Sequence, residues 1–234
     1  MDSVLDLAPV LPVVVLEDAA DAVPLARALA AGGLPAVEVT LRTPAALAAI
    51  RAVADGVPEA VVGAGTVLTP EHAAAARAAG ARFLVSPGWT ERLLDALRGS
   101  GLPFLPGVST ASEALGLVER GVRDMKFFPA EAAGGVPYLK ALASPLPQAR
   151  FCPTGGIDAR RAPSYLALEN VACVGGTWML PREAVRAGAW DEIAALAREA
   201  VELAAAARRG TVRPGTVPPD TVRPGTVPRA GTPA

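Results

Sequence analysis

The segment AVVGAGTVLTPEHAAAARAAGARFLVS, Ala60 to Ser86, holds one complete strand–helix–strand unit. Short apolar runs at 60–63 and 82–86 open and close it. Between them Thr69-Pro70 stands before an alanine run that stops at Gly80. A threonine offers its hydroxyl to the free amides of a first helical turn, and proline at the first helical position loses no hydrogen bond. Glycine then ends the helix, because it turns left-handed without a Cβ penalty.

Outward from this unit the pattern repeats along the chain. Apolar runs at 11–16, 36–41, 60–63, 82–86, 103–106, 124–128, 150–154 and 171–175 read as eight strands. They lie roughly 20–26 residues apart, the spacing of βα units. Thr43-Pro44 and Thr90-Glu91 open helices as Thr69-Pro70 does, and Thr110-Ala-Ser-Glu113 has the spacing of a capping box. Asp191 to Arg209 reads as a long closing helix. Eight such units in one chain predict an α/β fold, a closed (β/α)8 TIM barrel in a single domain over residues 1–209, rather than an open sheet. The remainder, 210–234, is different: TVRPGTVP at 211–218 returns unchanged at 221–228. Regular proline and glycine oppose both helix and ladder, so this part is expected to be a disordered tail.

Composition narrows the function classes. Hydrophobic residues make up 51% of the chain, enough for a large core, and the formal net charge is −1. That balance argues against a nucleic-acid binder, which would carry a basic excess. No apolar run reaches the roughly 18 residues of a membrane span, and the acidic start resembles no secretory leader. A cytoplasmic protein is expected. Cys152 and Cys173 lie in apolar runs and read as buried reduced thiols, with a disulfide as the second reading. One histidine, His72, and two scattered cysteines cannot form an ordinary zinc site. No metal is expected, and chemistry falls to lysine, arginine, carboxylates, hydroxyls and backbone amides.

Only two of the 22 basic residues are lysines, Lys126 and Lys140. Lys126 stands inside the apolar run Met125-Lys-Phe-Phe-Pro129, whereas Lys140 lies in a helical stretch and reads as surface. Arginine stays protonated, but a lysine desolvated among aromatics can act as an amine nucleophile. The competing reading is a lysine whose stem packs while its head reaches water. In Glu38-Val-Thr-Leu-Arg42, strand alternation puts Glu38, Thr40 and Arg42 on one face, inside the barrel near the end where barrels place their chemistry. A catalytic carboxylate and a structural Glu38–Arg42 ion pair both remain open. Thr154-Gly155-Gly156 and Gly175-Gly176-Thr177 follow strands seven and eight, where barrels often hold phosphate on backbone amides. Gly63-Ala-Gly-Thr66 adds a hydroxyl at the same rim.

These segments together resemble the bacterial 2-keto-3-deoxy-6-phosphogluconate (KDPG) and 4-hydroxy-2-oxoglutarate (KHG) aldolases. The resemblance rests on EVTLRT (Glu38–Thr43), VGAGTVL (Val62–Leu68), SPG (Ser86–Gly88), PGVST (Pro106–Thr110), KFFPAE (Lys126–Glu131), FCPTGGI (Phe151–Ile157) and GGTW (Gly175–Trp178), in order from Leu11 to Arg208. It implies a class I aldolase with Lys126 as Schiff-base residue and Glu38 as general acid/base. It further implies that Arg42 meets the substrate carboxylate and that Thr66, Pro87 and Thr154 line the pyruvate end. Gly155, Gly156, Gly175, Gly176 and Thr177 would hold the phosphate. Thr177 stands where the relatives carry serine, which keeps the hydroxyl and adds a methyl. A homotrimer without cofactor, acting on a keto acid phosphate, is implied as well. Three alternatives remain at this point: a phosphate-binding barrel isomerase that uses Glu38 without a covalent intermediate, a catalytically silent trimeric scaffold, and, within the aldolase chemistry, a preference for 4-hydroxy-2-oxoglutarate or the galactonate epimer.

Overall fold

The computed structural model describes residues 3–210. The tail expected from 210 onward therefore lies, except for Gly210, outside the described residues. Among the described residues nine short strands form: β1 (Val10–Val14), β2 (Ala36–Thr40), β3 (Val61–Gly65), β4 (Leu84–Val85), β5 (Phe104–Leu105), β6 (Gly107–Val108), β7 (Asp124–Phe127), β8 (Arg150–Pro153) and β9 (Val174–Gly176). Helices α1 (Ala22–Ala31), α2 (Ala46–Gly56), α3 (Pro70–Ala78), α4 (Glu91–Gly99), α5 (Ala111–Glu119), α6 (Gly135–Ala143), α7 (Ala162–Leu166), α8 (Arg182–Ala187) and α9 (Trp190–Arg208) connect and cover them.

All the ladders are parallel, in the orders β5-β4-β3-β2-β1-β9 and β6-β7-β8. Isolated bridges Phe151↔Val171 and Thr154↔Gly175 join β8 to the last strand segment. The ring closes on the other side through β5 and β6, which are one barrel strand divided at Pro106. Proline has no amide hydrogen to give the ladder. Its carbonyl still accepts from Lys126 N at 3.0 Å, so the interruption costs β7 nothing. The eight expected strands thus appear as nine segments, the fifth one cut in two. Both Gly63 and Gly65 lie within β3, and Gly175 and Gly176 within β9, rather than in loops after those strands.

Three threonine caps form as the sequence suggests. Thr69 and Thr90 accept from His72 N and Leu93 N, each at 3.2 Å, and Thr110 forms a full capping box with Glu113. Thr43 does not cap. Its hydroxyl donates to Leu16 O at 2.5 Å in the neighbouring loop, and α2 starts at Ala46 without a side-chain cap.

Alternation along the strands divides the core in two. Val10, Val14, Val37, Val39, Val62, Leu84, Met125, Phe127 and Phe151 face the helices. Leu11, Ala36, Phe83, Val85, Leu105, Cys152 and Cys173 fill the barrel, and Val4 and Leu5 plug its N-terminal mouth. The plug is tied down by Ser3 to Asp124 and by Arg150 to Asp6 and Asp124. Both cysteines are free and buried. A hydrogen bond with Cys152, together with burial, raises the Cys173 thiol well above its usual value, so it stays protonated and unreactive. Among the described residues no helix is long and apolar enough to cross a membrane, and no group of His, Cys, Asp and Glu is placed to hold a metal ion.

Candidate active site

Among the described residues, the two charged side chains in the buried set are Glu38 and Lys126, 1% and 5% exposed. They come from opposite sides of the ring, β2 and β7, and meet inside it. Lys126 Nζ donates to Glu38 Oε1 at 3.0 Å and lies 3.5 Å from Oε2. Met125 and Phe127 point outward into the helix layer, so alternation leaves Lys126 no direction but inward. The Phe128 ring centroid lies 5.6 Å from Nζ, and a cis peptide joins Phe128 to Pro129. Lys126 therefore does not reach out to water. Desolvating two charges takes back most of what their attraction yields, so a buried pair of this kind adds little stability and points to chemistry.

The walls around the pair are built from small residues. An ideal Cβ on Gly65 would lie 2.2 Å from Glu38 Oε1, so only glycine at this position leaves room for the carboxylate. In the same way a Cβ on Gly175 would lie 2.2 Å from Thr154 Oγ1. Thr154 is buried just past β8, its hydroxyl 3.4 Å from Cys152 O. Thr66 follows β3 with φ 58°, the one non-glycine residue at positive φ among those described. Such strain persists where the surroundings over-determine it, and it gathers at working sites. Pro87, half-buried after β4, packs against the backbone of Gly107.

Arg42 corrects one expectation. β2 ends at Thr40, where Leu41 N donates to Gly65 O at 2.9 Å, and the chain then turns. Arg42 is exposed on that turn, not inside the barrel, because alternation stops with the ladder. The Glu38–Arg42 ion pair does not form; Glu38 pairs with Lys126. Thr40 is inward and structural, its hydroxyl donating to Val14 O at 2.9 Å. Lys140 is exposed on α6.

At the rim, Gly155 and Gly156 take φ of 106° and 76°. Their amides donate to no backbone carbonyl among the described residues, while the carbonyls of Thr154 and Gly155 accept from Ala130 N at 2.8 Å and Glu131 N at 3.1 Å. The loop thus turns its acceptors into the protein and leaves donors at the mouth, an arrangement suited to an anion. Thr177 is exposed beside it, after Gly176, whose missing Cβ leaves space for the Trp178 ring. Sequence reading missed a group next to this loop. Glu131 accepts from the Tyr165 hydroxyl and forms an ion pair with Arg161, whose Nε lies 3.0 Å from Oε2. Glu131 and Tyr165 stand 34 residues apart, and no local pattern links them.

Comparison with known proteins agrees with this geometry. The family pattern of KDPG and KHG aldolases matches residues 1–196. The KHG/KDPG aldolase of Escherichia coli (strain K12) is 53% identical over 201 residues, covering 86% of this chain and 94% of that protein. A crystal structure of KDPG aldolase from Legionella pneumophila, with pyruvate captured as a covalent carbinolamine intermediate, superposes with a TM-score of 0.82 at 47% identity. It covers 84% of this chain and 96% of that one. The KDPG aldolase of Zymomonas mobilis ZM4 with 3-phosphoglycerate gives a TM-score of 0.79 at 48% identity, covering 85% and 93%. With a family match over most of its length and relatives near half identity, the chain belongs to the KDPG and KHG aldolase family.

Proposed function

We propose that this chain is a class I aldolase that cleaves 2-keto-3-deoxy-6-phosphogluconate to pyruvate and glyceraldehyde 3-phosphate through an imine on Lys126. The observation that carries the reading is the buried contact between Lys126 and Glu38. A non-covalent isomerase or a silent scaffold gives that lysine no task. Cleavage of 4-hydroxy-2-oxoglutarate to pyruvate and glyoxylate is the second activity, supported by the double name of the E. coli relative.

In this mechanism Glu38 takes a proton from Lys126 Nζ across their hydrogen bond, and the freed amine adds to the C2 ketone. Glu38 returns the proton to the carbinolamine hydroxyl, water leaves, and a protonated imine forms. Glu38, again a carboxylate, then removes the C4 hydroxyl proton. The C3–C4 bond breaks, its electron pair moves into the iminium, and glyceraldehyde 3-phosphate departs from the enamine. Protonation at C3 by Glu38 and hydrolysis of the imine release pyruvate and the lysine. Acid/base help of this kind is worth roughly 10²–10⁴-fold.

Arg42, at the rim, holds the substrate carboxylate. Thr66, Pro87 and Thr154 surround the pyruvate half. The amides of Gly155 and Gly156 with the Thr177 hydroxyl bind the phosphate, while Gly175 and Gly176 leave room for Thr154 and Trp178. The Legionella relative, with pyruvate bound covalently, supports the imine, and the Zymomonas relative, with 3-phosphoglycerate, supports a phosphorylated acid as ligand. The family resemblance extends the reading to a cytoplasmic homotrimer whose catalytic unit is residues 1–209.

Borohydride trapping with pyruvate tests the reading. A reduced pyruvate adduct on the peptide carrying Lys126 is expected, absent in Lys126→Arg, which keeps the charge and loses the nucleophile. No adduct on folded wild-type protein in excess pyruvate overturns it.

A further inference from the structure

The glycine pair at 155–156 poses a mechanical problem. Glycine loses more conformational freedom on ordering than any other residue, and neither position has a side chain to anchor it. Yet an anion site works only when its donors stand ready before the ligand arrives. Something outside the pair has to hold it.

Glu131 touches the loop in two ways, and its carboxylate anchors it to residues beyond the loop. Its amide donates to Gly155 O at 3.1 Å, next to the Ala130 bond to Thr154 O. Its Cβ and Cγ occupy the space under Gly156, where an added Cβ would fall 2.9 and 2.8 Å from them. Its carboxylate accepts from the Tyr165 hydroxyl and forms an ion pair with Arg161, whose Nε lies 3.0 Å from Oε2. Tyr165 is itself fixed: its ring is fully buried on α7, with the hydroxyl at the close turn of Gly135. Burial and the Glu131 carboxylate push its phenol far above the usual range, so it remains a donor at any working pH. Arg161 is also committed, with Nη1 on Asp158 Oδ2 at 3.0 Å, and Asp158 accepts the amides of Arg160 and Arg161 at 3.0 and 2.9 Å. With two carboxylates on it, Arg161 serves the frame of the loop rather than the anion.

We infer that Glu131 and Tyr165 are positioning residues that brace the 155–156 loop, and that this brace sets the preference for phosphorylated over unphosphorylated substrates. The inference rests on the reading of that loop as the phosphate site. The brace touches neither Lys126 nor Glu38, so its loss weakens phosphate binding and spares the chemistry at the keto acid.

Two assays on the full chain separate the effects. Cleavage of 2-keto-3-deoxy-6-phosphogluconate uses both ends of the site. Exchange of the pyruvate methyl protons in D2O, followed by NMR, uses only the imine end. In Tyr165→Phe and Glu131→Gln, KM for the phosphorylated substrate is expected to rise about tenfold with kcat within about twofold, the loss of one charge-assisted hydrogen bond. Pyruvate exchange is expected to match wild type in both. An unchanged KM overturns the brace, as does a parallel fall in pyruvate exchange, which would mark a merely structural role. Gly156→Ala, which places a methyl on Glu131 and strains a positive φ, tests the underlying site separately. If it raises KM while the brace variants do not, the brace fails and the phosphate loop stands. If Gly156→Ala also leaves KM unchanged, the phosphate reading falls and the brace with it.

Discussion

Adding one methyl group at Gly65 would drive the Glu38 carboxylate off Lys126, since the new carbon would sit 2.2 Å from Oε1 and 2.7 Å from Cδ. Displacing a catalytic group by about 1 Å can cost 10²-fold. Gly65→Ala is therefore expected to lower kcat/KM at least about a hundredfold and to slow borohydride trapping, while the chain still folds. A variant with near wild-type turnover would show that Glu38 works from some other position. At this scale the sequence was partly legible. Lysine is so rare here, and so oddly placed among Met125, Phe127 and Phe128, that Lys126 drew notice on its own. Its pairing with Glu38 was hidden, because 88 residues separate them and only closure of the ring brings them together. Arg42 departs from expectation for the opposite reason. The alternation that would turn it inward ends with the strand at Thr40, two residues before it.

At the level of elements, helix α5 offers the clearest test. Glu113 accepts from Ser109 N at 2.7 Å and Thr110 N at 2.9 Å, while Thr110 caps Glu113 N at 3.2 Å. Burial raises the Glu113 carboxyl, but the hydrogen bonds from Ser109 and Thr110 together outweigh it and lower it below 4.5. A carboxylate with a depressed folded value stabilises the fold above its unfolded pKa, and that contribution is lost as pH falls through the folded one. Glu113→Gln should thus be less stable than wild type at neutral pH, and denaturant titrations should show the gap closing below about pH 4.5. A gap that stays constant down to strong acid would remove the charge from the explanation. Capping was readable where the hydroxyl is used locally, as at Thr69, Thr90 and Thr110. Thr43-Pro44 carries the same signature as Thr69-Pro70, and nothing near it in sequence reveals that Leu16 O takes its hydroxyl.

For the whole molecule, eight repeats of one unit make the barrel plain in the sequence, since a chain of parallel βα units this long closes on itself. The cut in the fifth strand was not plain, because a proline at 106 reads equally as a strand end. The same scale holds a prediction about residues 210–234. If residues 1–209 are the catalytic unit, a chain ending at Arg209 should keep kcat/KM within about twofold and unfold at the same temperature as the full chain. A large loss of either would make the C-terminal repeats part of the working enzyme.

Among the described residues, the floor formed by Val4 and Leu5, tied through Ser3, Asp6, Asp124 and Arg150, fills the N-terminal mouth, so the rim is the door to the buried pair. Traffic through one door has an order. The half of the substrate nearest the rim must clear before the half held covalently on the lysine can follow. Pyruvate then meets the empty enzyme and should inhibit competitively against the phosphorylated substrate. Glyceraldehyde 3-phosphate instead meets an enzyme still carrying the three-carbon fragment and should inhibit noncompetitively. Steady-state product inhibition distinguishes this from random exit, in which both products would compete.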